Sequence, residues 1–548
     1  MRQYRLADGR LVEFDSDLVC QCLFELTEES GHPDVFLARE LTDGLLYLLS
    51  TEAGDEIPDA SELAELIEKY LRELGRPILA KQLSHRWAAK PAAFAVAARS
   101  ESPANFGQFQ GLEPVPDPAT LRSRFSDAKL EEFSLAHIYP RDVVSMHRDG
   151  LLTLFGLSRP FELAGSVLGP AASNGVAGQI DAARYHSGQF LAIDGADFAL
   201  ATATGPPAEL AAQYASTIRS AIDRSGIAIC LNLNQQAPPP ALSGWAGGSL
   251  FSEFQSEPEC GRIEEVGAAL ARELADQSTG SQSCVEIFWH LSGRDFQPEN
   301  AARSLAIVRL ASTNSRLTFV FDRARYGVSL AAGLTREKPA ALMAVGIQLH
   351  RLAQQIPGCS LELFLKKLGS LARLARSTGH AKFDFLRKHA RPEARGGFLL
   401  ERARLLVVPI GLEAAVRMLS NCPISDDGPG GETAKAIVQR LRQALDQEPP
   451  RNIEVCVDSL PWLTDRAQNA ESESEALIDG LTPWDAESLP RMQIKAAGSL
   501  HSLAAAGTAH IRIPPDNPVS AEELVGLLRS AWFQTEVHRL KFHLEAGK

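Results

Sequence analysis

The histidines, cysteines and glycine turns of this chain offer little ready-made chemistry. Cys20-Gln21-Cys22 is the closest pair among eight cysteines, and no Cys-x-x-Cys occurs, which argues against a zinc ribbon. Cys422, in Ser420-Asn421-Cys422-Pro423, has no histidine or helix start beside it to hold a thiolate, so it reads as a structural or surface cysteine. Cys230 and Cys284 sit in apolar strand-like runs and read as core thiols. The turn Gly428-Pro429-Gly430-Gly431-Glu432-Thr433 could offer amides to an anion. It lacks the Lys-Ser/Thr of a phosphate loop and reads as a loop with a helix cap. His501 and His510 fit no metal spacing, so core or solvated roles are expected. His147 with Gly150 reads as a helix-ending histidine followed by a glycine cap. The basic stretch from Arg373 to Arg395 reads as a solvated face able to meet an acidic partner.

The elements that must position these groups follow from pattern. Asp8-Gly9 between two short alternating runs, Tyr4–Ala7 and Arg10–Phe14, predicts a hairpin with a two-residue turn. Asp15 or Ser16 then offers a helix-capping oxygen. Apolar residues at helical spacing predict helices over Asp17–Thr27, Asp34–Ser50, Ser61–Leu74 and Pro77–Trp87. Residues 93–118 are rich in Pro, Gly, Ser and Ala and read as a linker between a unit at 1–92 and a body at 119–548. In the body, strands are expected at Ile227–Asn234, Ser283–Trp289, Arg316–Phe321, Arg404–Ile410 and Ala509–Ile513. Long helices are expected at Pro339–Gln355, Leu361–Ser377 and Thr433–Asp446. Strands separated by helices predict an α/β body with a largely parallel sheet or barrel. The net charge of −13 disfavours a nucleic-acid partner, because phosphates call for clustered cations. No signal-peptide pattern and no run of about 18 apolar residues is present, so a reduced, cytoplasmic protein with no membrane partner is expected.

Taken in order along the chain, several stretches resemble the anaerobic (class III) ribonucleotide reductases. The hairpin and four helices resemble the family's ATP-cone. Leu135-Ala-His-Ile-Tyr-Pro140 with His147-Arg-Asp-Gly150 resembles the segment leading into its barrel. Val328-Ser-Leu330, Val408-Pro-Ile-Gly-Leu-Glu413 and Gly507-Thr-Ala-His-Ile511 resemble three later landmarks. The resemblance implies a ten-stranded α/β barrel of the glycyl-radical type, preceded by a small, mainly helical ATP-cone-like domain.

It also implies chemistry this sequence does not carry. The family uses a C-terminal radical glycine, a cysteine on a loop inside the barrel, a second group on the first barrel strand, and paired Cys-x-x-Cys ligands for zinc. No cysteine follows Cys456, none lies between Cys284 and Cys359, and Ser329-Leu330-Ala331-Ala332 replaces the family's Asn-Leu-Pro-Arg. The cone's usual basic pair before the turn is Leu6-Ala7. The resemblance leaves Arg5, Asp8, Gly9 and Arg10 as candidate contacts to ATP or dATP as an effector. A relic site is implied at His147, Gly150, Glu413 and His510. The expected protein is a reductase-like scaffold without ribonucleotide reduction, zinc or a glycyl radical, responding to nucleotide or binding a partner such as a second copy or a true reductase. The alternative is a reductase whose radical elements come from another chain.

Overall fold

The computed structural model describes residues 3–5, 9–13, 15–52, 57–89, 127–169, 173–184, 186–225, 227–235, 260–275, 285–312, 316–323, 329–389, 398–446, 453–460, 480–482, 488–504, 506–513 and 519–544. Asp8, Cys284, Val328 and the linker 93–118 lie outside these residues.

The N-terminal part is a two-stranded ribbon with four helices. Strands β1 (Gln3–Arg5) and β2 (Leu11–Glu13) pair antiparallel, and the last described pair is Arg5 with Leu11. The described ladder therefore stops short of a two-residue turn. Arg5 instead donates its amide to Pro58 O at 2.9 Å, which docks the ribbon beside the next helix pair. Helices α1 (Ser16–Glu29), α2 (Val35–Glu52), α3 (Ala60–Glu73) and α4 (Pro77–Ala89) follow. Asp15 caps α1 through the amides of Asp17 and Leu18, and Asp59 with Glu62 forms a capping box on α3.

The body opens with α5 (Asp127–His137), α6 (Arg141–Arg148) and the short strand β3 (Leu152–Leu154). Its first half comprises β4 (Leu163–Leu168), β5 (Ser187–Asp194), β6 (Ala228–Leu233), β7 (Val285–Leu291) and β8 (Leu317–Phe321), neighbours running parallel. The crossovers are α7 (Ser173–Ala183), α8 (Ala196–Ala201) with α9 (Pro207–Ser225), α10 (Cys260–Ala275) and α11 (Ala301–Ala311). The second half runs from β9 (Ala340–Gln348) through α12 (Leu349–Gln354), α13 (Leu361–His389) and α14 (Phe398–Glu401) to β10 (Ala403–Ile410). It continues with α15 (Leu412–Ser420), α16 (Pro429–Asp446), β11 (Glu454–Val457), α17 (Pro490–Ala504), β12 (Thr508–Ile513), α18 (Ala521–Gln534) and β13 (Arg539–Leu544).

Among the described residues the sheet has eleven strands, ten of them in the path β11-β10-β9-β4-β5-β6-β7-β8-β13-β12, with β3 added beside β9. The halves meet antiparallel where β4 pairs with β9 and β8 pairs with β13. Residues 480–482 bridge β10 to β12 beyond the end of the short β11. Gly480 donates its amide to Pro409 O at 2.7 Å, and the Thr482 hydroxyl donates to Thr508 O at 2.8 Å. The result is an α/β barrel of two parallel half-sheets. Alternation sorts its side chains. Ile229, Leu231 and Leu233 of β6 pack outward under the helices, while Ala228 and Cys230 face inward.

Two expectations change. Pro339–Gln355 is not one helix: Ala340–Gln348 is the buried strand β9, and only the short α12 follows. The basic stretch on α13 is not a solvated face. Arg376 and Lys382 are buried, and Arg373 pairs with Asp43. Lys382 donates to the carbonyls of Arg159 and Pro160, and burial pushes its ammonium down to about 7.

Candidate functional site

A loop between β8 and β9 enters the barrel and fills its middle. Ser329 bridges Thr335, and Leu330 donates its amide to Leu334 O at 2.8 Å, closing a tight tip. Ala332 and Gly333 turn the tip with φ of 47° and 70°, the left-handed region. Leu330, Ala331, Ala332 and Leu334 are fully buried among inward residues of both halves. Two arginines pin the tip. Arg404 of β10 donates to Gly333 O at 2.8 Å, and Arg539 of β13 donates to Leu330 O at 3.0 Å. Arg539 also grips both carboxylate oxygens of Asp458, just past β11, and each partner is 1% exposed.

The tip carries no thiol. The thiol beside it comes from β11: a Cβ on Gly333 would lie 2.7 Å from Cys456 Sγ. Burial pushes the Cys456 thiol up to about 12, so it stays protonated.

The returning arm of the loop is fixed at the barrel mouth, over the carboxyl ends of β5 to β8. Arg336 Nε donates to Asp194 Oδ2 at 2.8 Å, and its Nη2 donates to Gln235 Oε1 at 2.6 Å. Beside it, His290 Nδ1 lies 2.9 Å from Asp322 Oδ2 and His290 Nε2 lies 3.1 Å from Asn232 Oδ1. The Asn232 amide donates to Ile193 O, which leaves its oxygen to accept. Both ring nitrogens therefore face acceptors. Deeper in the barrel, Lys541 donates to Glu286 at 3.0 Å, each 2% exposed. His510 Nδ1 and His543 Nε2 share a hydrogen bond at 2.8 Å. Burial, reinforced by neighbouring cations, drives both imidazoles down, His543 to about 3, so both stay neutral. Among the described residues, no group of three or more His, Cys, Asp or Glu side chains gathers to hold a metal ion.

The expected relic residues lie on separate elements. His510 lies inside the barrel on β12. His147 sits at the end of α6, its Nδ1 against the β3 backbone at Leu152 and Leu154. Gly150, with φ of 71°, follows the helix as a glycine cap, and a Cβ there would lie 2.1 Å from Arg351 Nη1. Glu413 opens α15, accepting from Arg417 at 2.8 Å and from the amide of Ile424. At the N-terminus Arg5, Gly9 and Arg10 are exposed on the ribbon, and Asp8 lies outside the described residues. Of the Gly428–Thr433 run, Pro429 onward is the packed first turn of α16: side chains at Gly430 and Gly431 would strike the carbonyls of Pro423 and Ser425. Cys20 and His501 are buried. The mouth residues His290, Asp322 and Arg336, and the ion pairs inside the barrel, were not singled out in the sequence. Their only local signal is a charged residue in the middle of a short apolar strand, as at Glu286 and Lys541.

No protein-family model and no curated protein matches the sequence. Solved structures do. An anaerobic ribonucleotide reductase from Thermotoga maritima with dATP bound in the specificity site superposes with a TM-score of 0.56 at 11% identity, over 81% of this chain and 87% of that one. The same organism's enzyme with citrate in the active site gives 0.55 at 11% identity, over 86% and 98%. The fold is that of anaerobic ribonucleotide reductase. A further anaerobic ribonucleotide reductase gives 0.53 at 10% identity over 92% of this chain and 87% of that one. At such identity the reductase fold carries no chemistry with it, and the residues must speak for themselves. In this chain they pack a thiol-free loop tip into the barrel and pair Asp458 with Arg539, Glu286 with Lys541 and Asp194 with Arg336. No helix among the described residues is long and apolar enough to cross a membrane.

Proposed function

We propose that this chain is a ribonucleotide-reductase-like protein that does not reduce ribonucleotides and acts as a nucleotide-responsive or partner-binding scaffold. The observation that carries this is the loop tip Leu330–Leu334, buried, without a thiol, and pinned by Arg404 and Arg539. A substrate at the barrel centre would have to displace the tip and break its bonds from Arg404 to Gly333 O and from Arg539 to Leu330 O, about 1.5–3 kcal/mol for each charged hydrogen bond. In this reading residues 1–92 are the cone-like sensor, 93–118 the linker and 119–548 the barrel. Arg5, Asp8, Gly9 and Arg10 are the candidate effector contacts for ATP or dATP. His147, Gly150, Glu413 and His510 are carried as structural remnants.

Isothermal titration with ATP and with dATP tests the sensor half. Micromolar binding lost on Arg10→Ala supports it, and no heat at millimolar nucleotide removes it, leaving partner binding. Anaerobic assay of ribonucleoside triphosphates with a radical-generating partner tests the other half. One observation favours the alternative of an active reductase: the protonated Cys456 thiol lies against the loop tip. Deoxynucleotide formation abolished by Cys456→Ser would establish that alternative and end the scaffold reading.

A further inference from the structure

The N-terminal helices rest on the body through faces of opposite charge. From α2, Glu40 and Asp43 meet Lys366 and Arg373 of α13, the first pair at 2.8 Å. From α1, Glu28 meets Arg141 of α6 at 3.4 Å. Lys367 of α13 lies over the Phe36 ring at 4.6 Å. In these rim pairs the helical unit supplies the acid and the body the base.

At the centre the signs reverse. Arg39 of α2 is 1% exposed and its Nη1 donates to Asp17 Oδ1 of α1 at 3.1 Å. Facing it from the body is Asp142 of α6, 3% exposed, with Cys20 Sγ of α1 at 4.0 Å from its Oδ2. Arg39 Nε and Nη2 have no hydrogen-bond partner among the described residues. Burial lifts the Asp142 carboxyl to about 6 against the pull of Arg39. A buried network left half-satisfied opposes the closed state. The rim pairs, partly exposed and open to salt screening, favour it.

We propose that α1 and α2 form a salt-sensitive latch on α6 and α13, closed by the rim pairs Asp43–Arg373, Glu40–Lys366 and Glu28–Arg141 over the strained centre at Arg39, Cys20 and Asp142. It is a docking switch, independent of whether the ribbon binds nucleotide. Cys20, with 0% exposure, is sealed at the joint and reports its opening.

The test is maleimide labelling of the full chain carrying Cys22→Ser, with each cysteine followed by mass spectrometry. Raising salt from about 0.05 M to about 1 M shortens the screening length and speeds Cys20 labelling about fivefold. Asp43→Arg and Arg373→Asp each do the same at low salt, and the double swap returns the rate to within about twofold of the parent. Cys230, on β6 inside the barrel, is the internal control and stays unlabelled. A salt-independent rate, a double swap as reactive as the single variants, or Cys230 labelling in step with Cys20 overturns the latch.

Discussion

Replacing Arg539 by methionine removes the one side chain that ties the loop tip to the barrel wall and to Asp458 at once. The methionine fills much of the same volume but leaves the Asp458 carboxylate, 1% exposed, without its counter-ion. Stranding a buried charge costs about 3–5 kcal/mol. The lost bond to Leu330 O, 3.0 Å in the native protein, adds about 1 kcal/mol. The opening free energy around β12 and β13 should therefore fall by about 4–6 kcal/mol, which is about a thousandfold or more in amide exchange. Peptide-resolved hydrogen exchange is the suitable assay, since a chain of 548 residues need not unfold in one step. Adding Asp458→Leu should recover most of the loss, because the unpaired carboxylate is then gone. Exchange rising less than about tenfold in Arg539→Met, or a double variant exchanging as fast as the single, would refute the pinned-tip account.

Three further outcomes follow from the same geometry. Gly333→Ala should destabilise the barrel by about 2 kcal/mol, from its positive φ and the clash with Cys456 Sγ, and Cys456→Ala should return part of that in urea midpoints. Acidification should weaken the fold: His501, His510 and His543 titrate below their unfolded value of 6.5, so the unfolded chain takes up more protons and stability falls as pH drops below it, for His543 down to about 3. Asp142 and Asp197, lifted to about 6 by burial, oppose this between pH 6 and their unfolded 3.8, so the urea midpoint at about pH 5 should sit below that at about pH 7 by a partial margin only. Arg336→Lys loses the two-point grip on Asp194 and the contact to Gln235, and should raise proteolysis or exchange within 329–338 while leaving the outer helices unchanged.

The helices of the N-terminal unit and the strands β6, β7, β8, β10 and β12 were legible because their apolar spacing is unambiguous. Strand β9 was not. Ala340-Ala-Leu-Met-Ala-Val-Gly-Ile347 is built from good helix formers, and burial on both faces erases the alternation that marks a strand. Strand β13 hid for the opposite reason. Arg539, Lys541 and His543 alternate with apolar residues as on a surface strand, yet their polar face points into the barrel. The candidate site was illegible for a topological reason. Glu286 meets Lys541, Asp458 meets Arg539 and Asp194 meets Arg336 only once the chain has closed the barrel, so no local spacing announces them. The basic run on α13 was legible as charge but not as burial, because Arg373 meets an acid on α2 while Arg376 and Lys382 are buried against backbone carbonyls from distant parts of the chain.

The seams of the barrel give it a grain. β9 and β10 run together from Ala340–Ala403 to Gln348–Ile410, whereas β4 meets β9 only at Gly165–Ala341 and Ser166–Ala340 among the described residues. The other junction, β8 with β13, is a short ladder from Arg539–Val320 to Lys541–Thr318. Among the laddered neighbours of the path these two junctions carry the fewest paired residues, two and three against four to eight within the parallel runs, as timber is weakest across its fibres. A chain divided between Phe321 and Ala340 would leave each fragment with its own parallel ladders, and the inserted tip, held by Arg404 and Arg539, would be the dowel that joins them again.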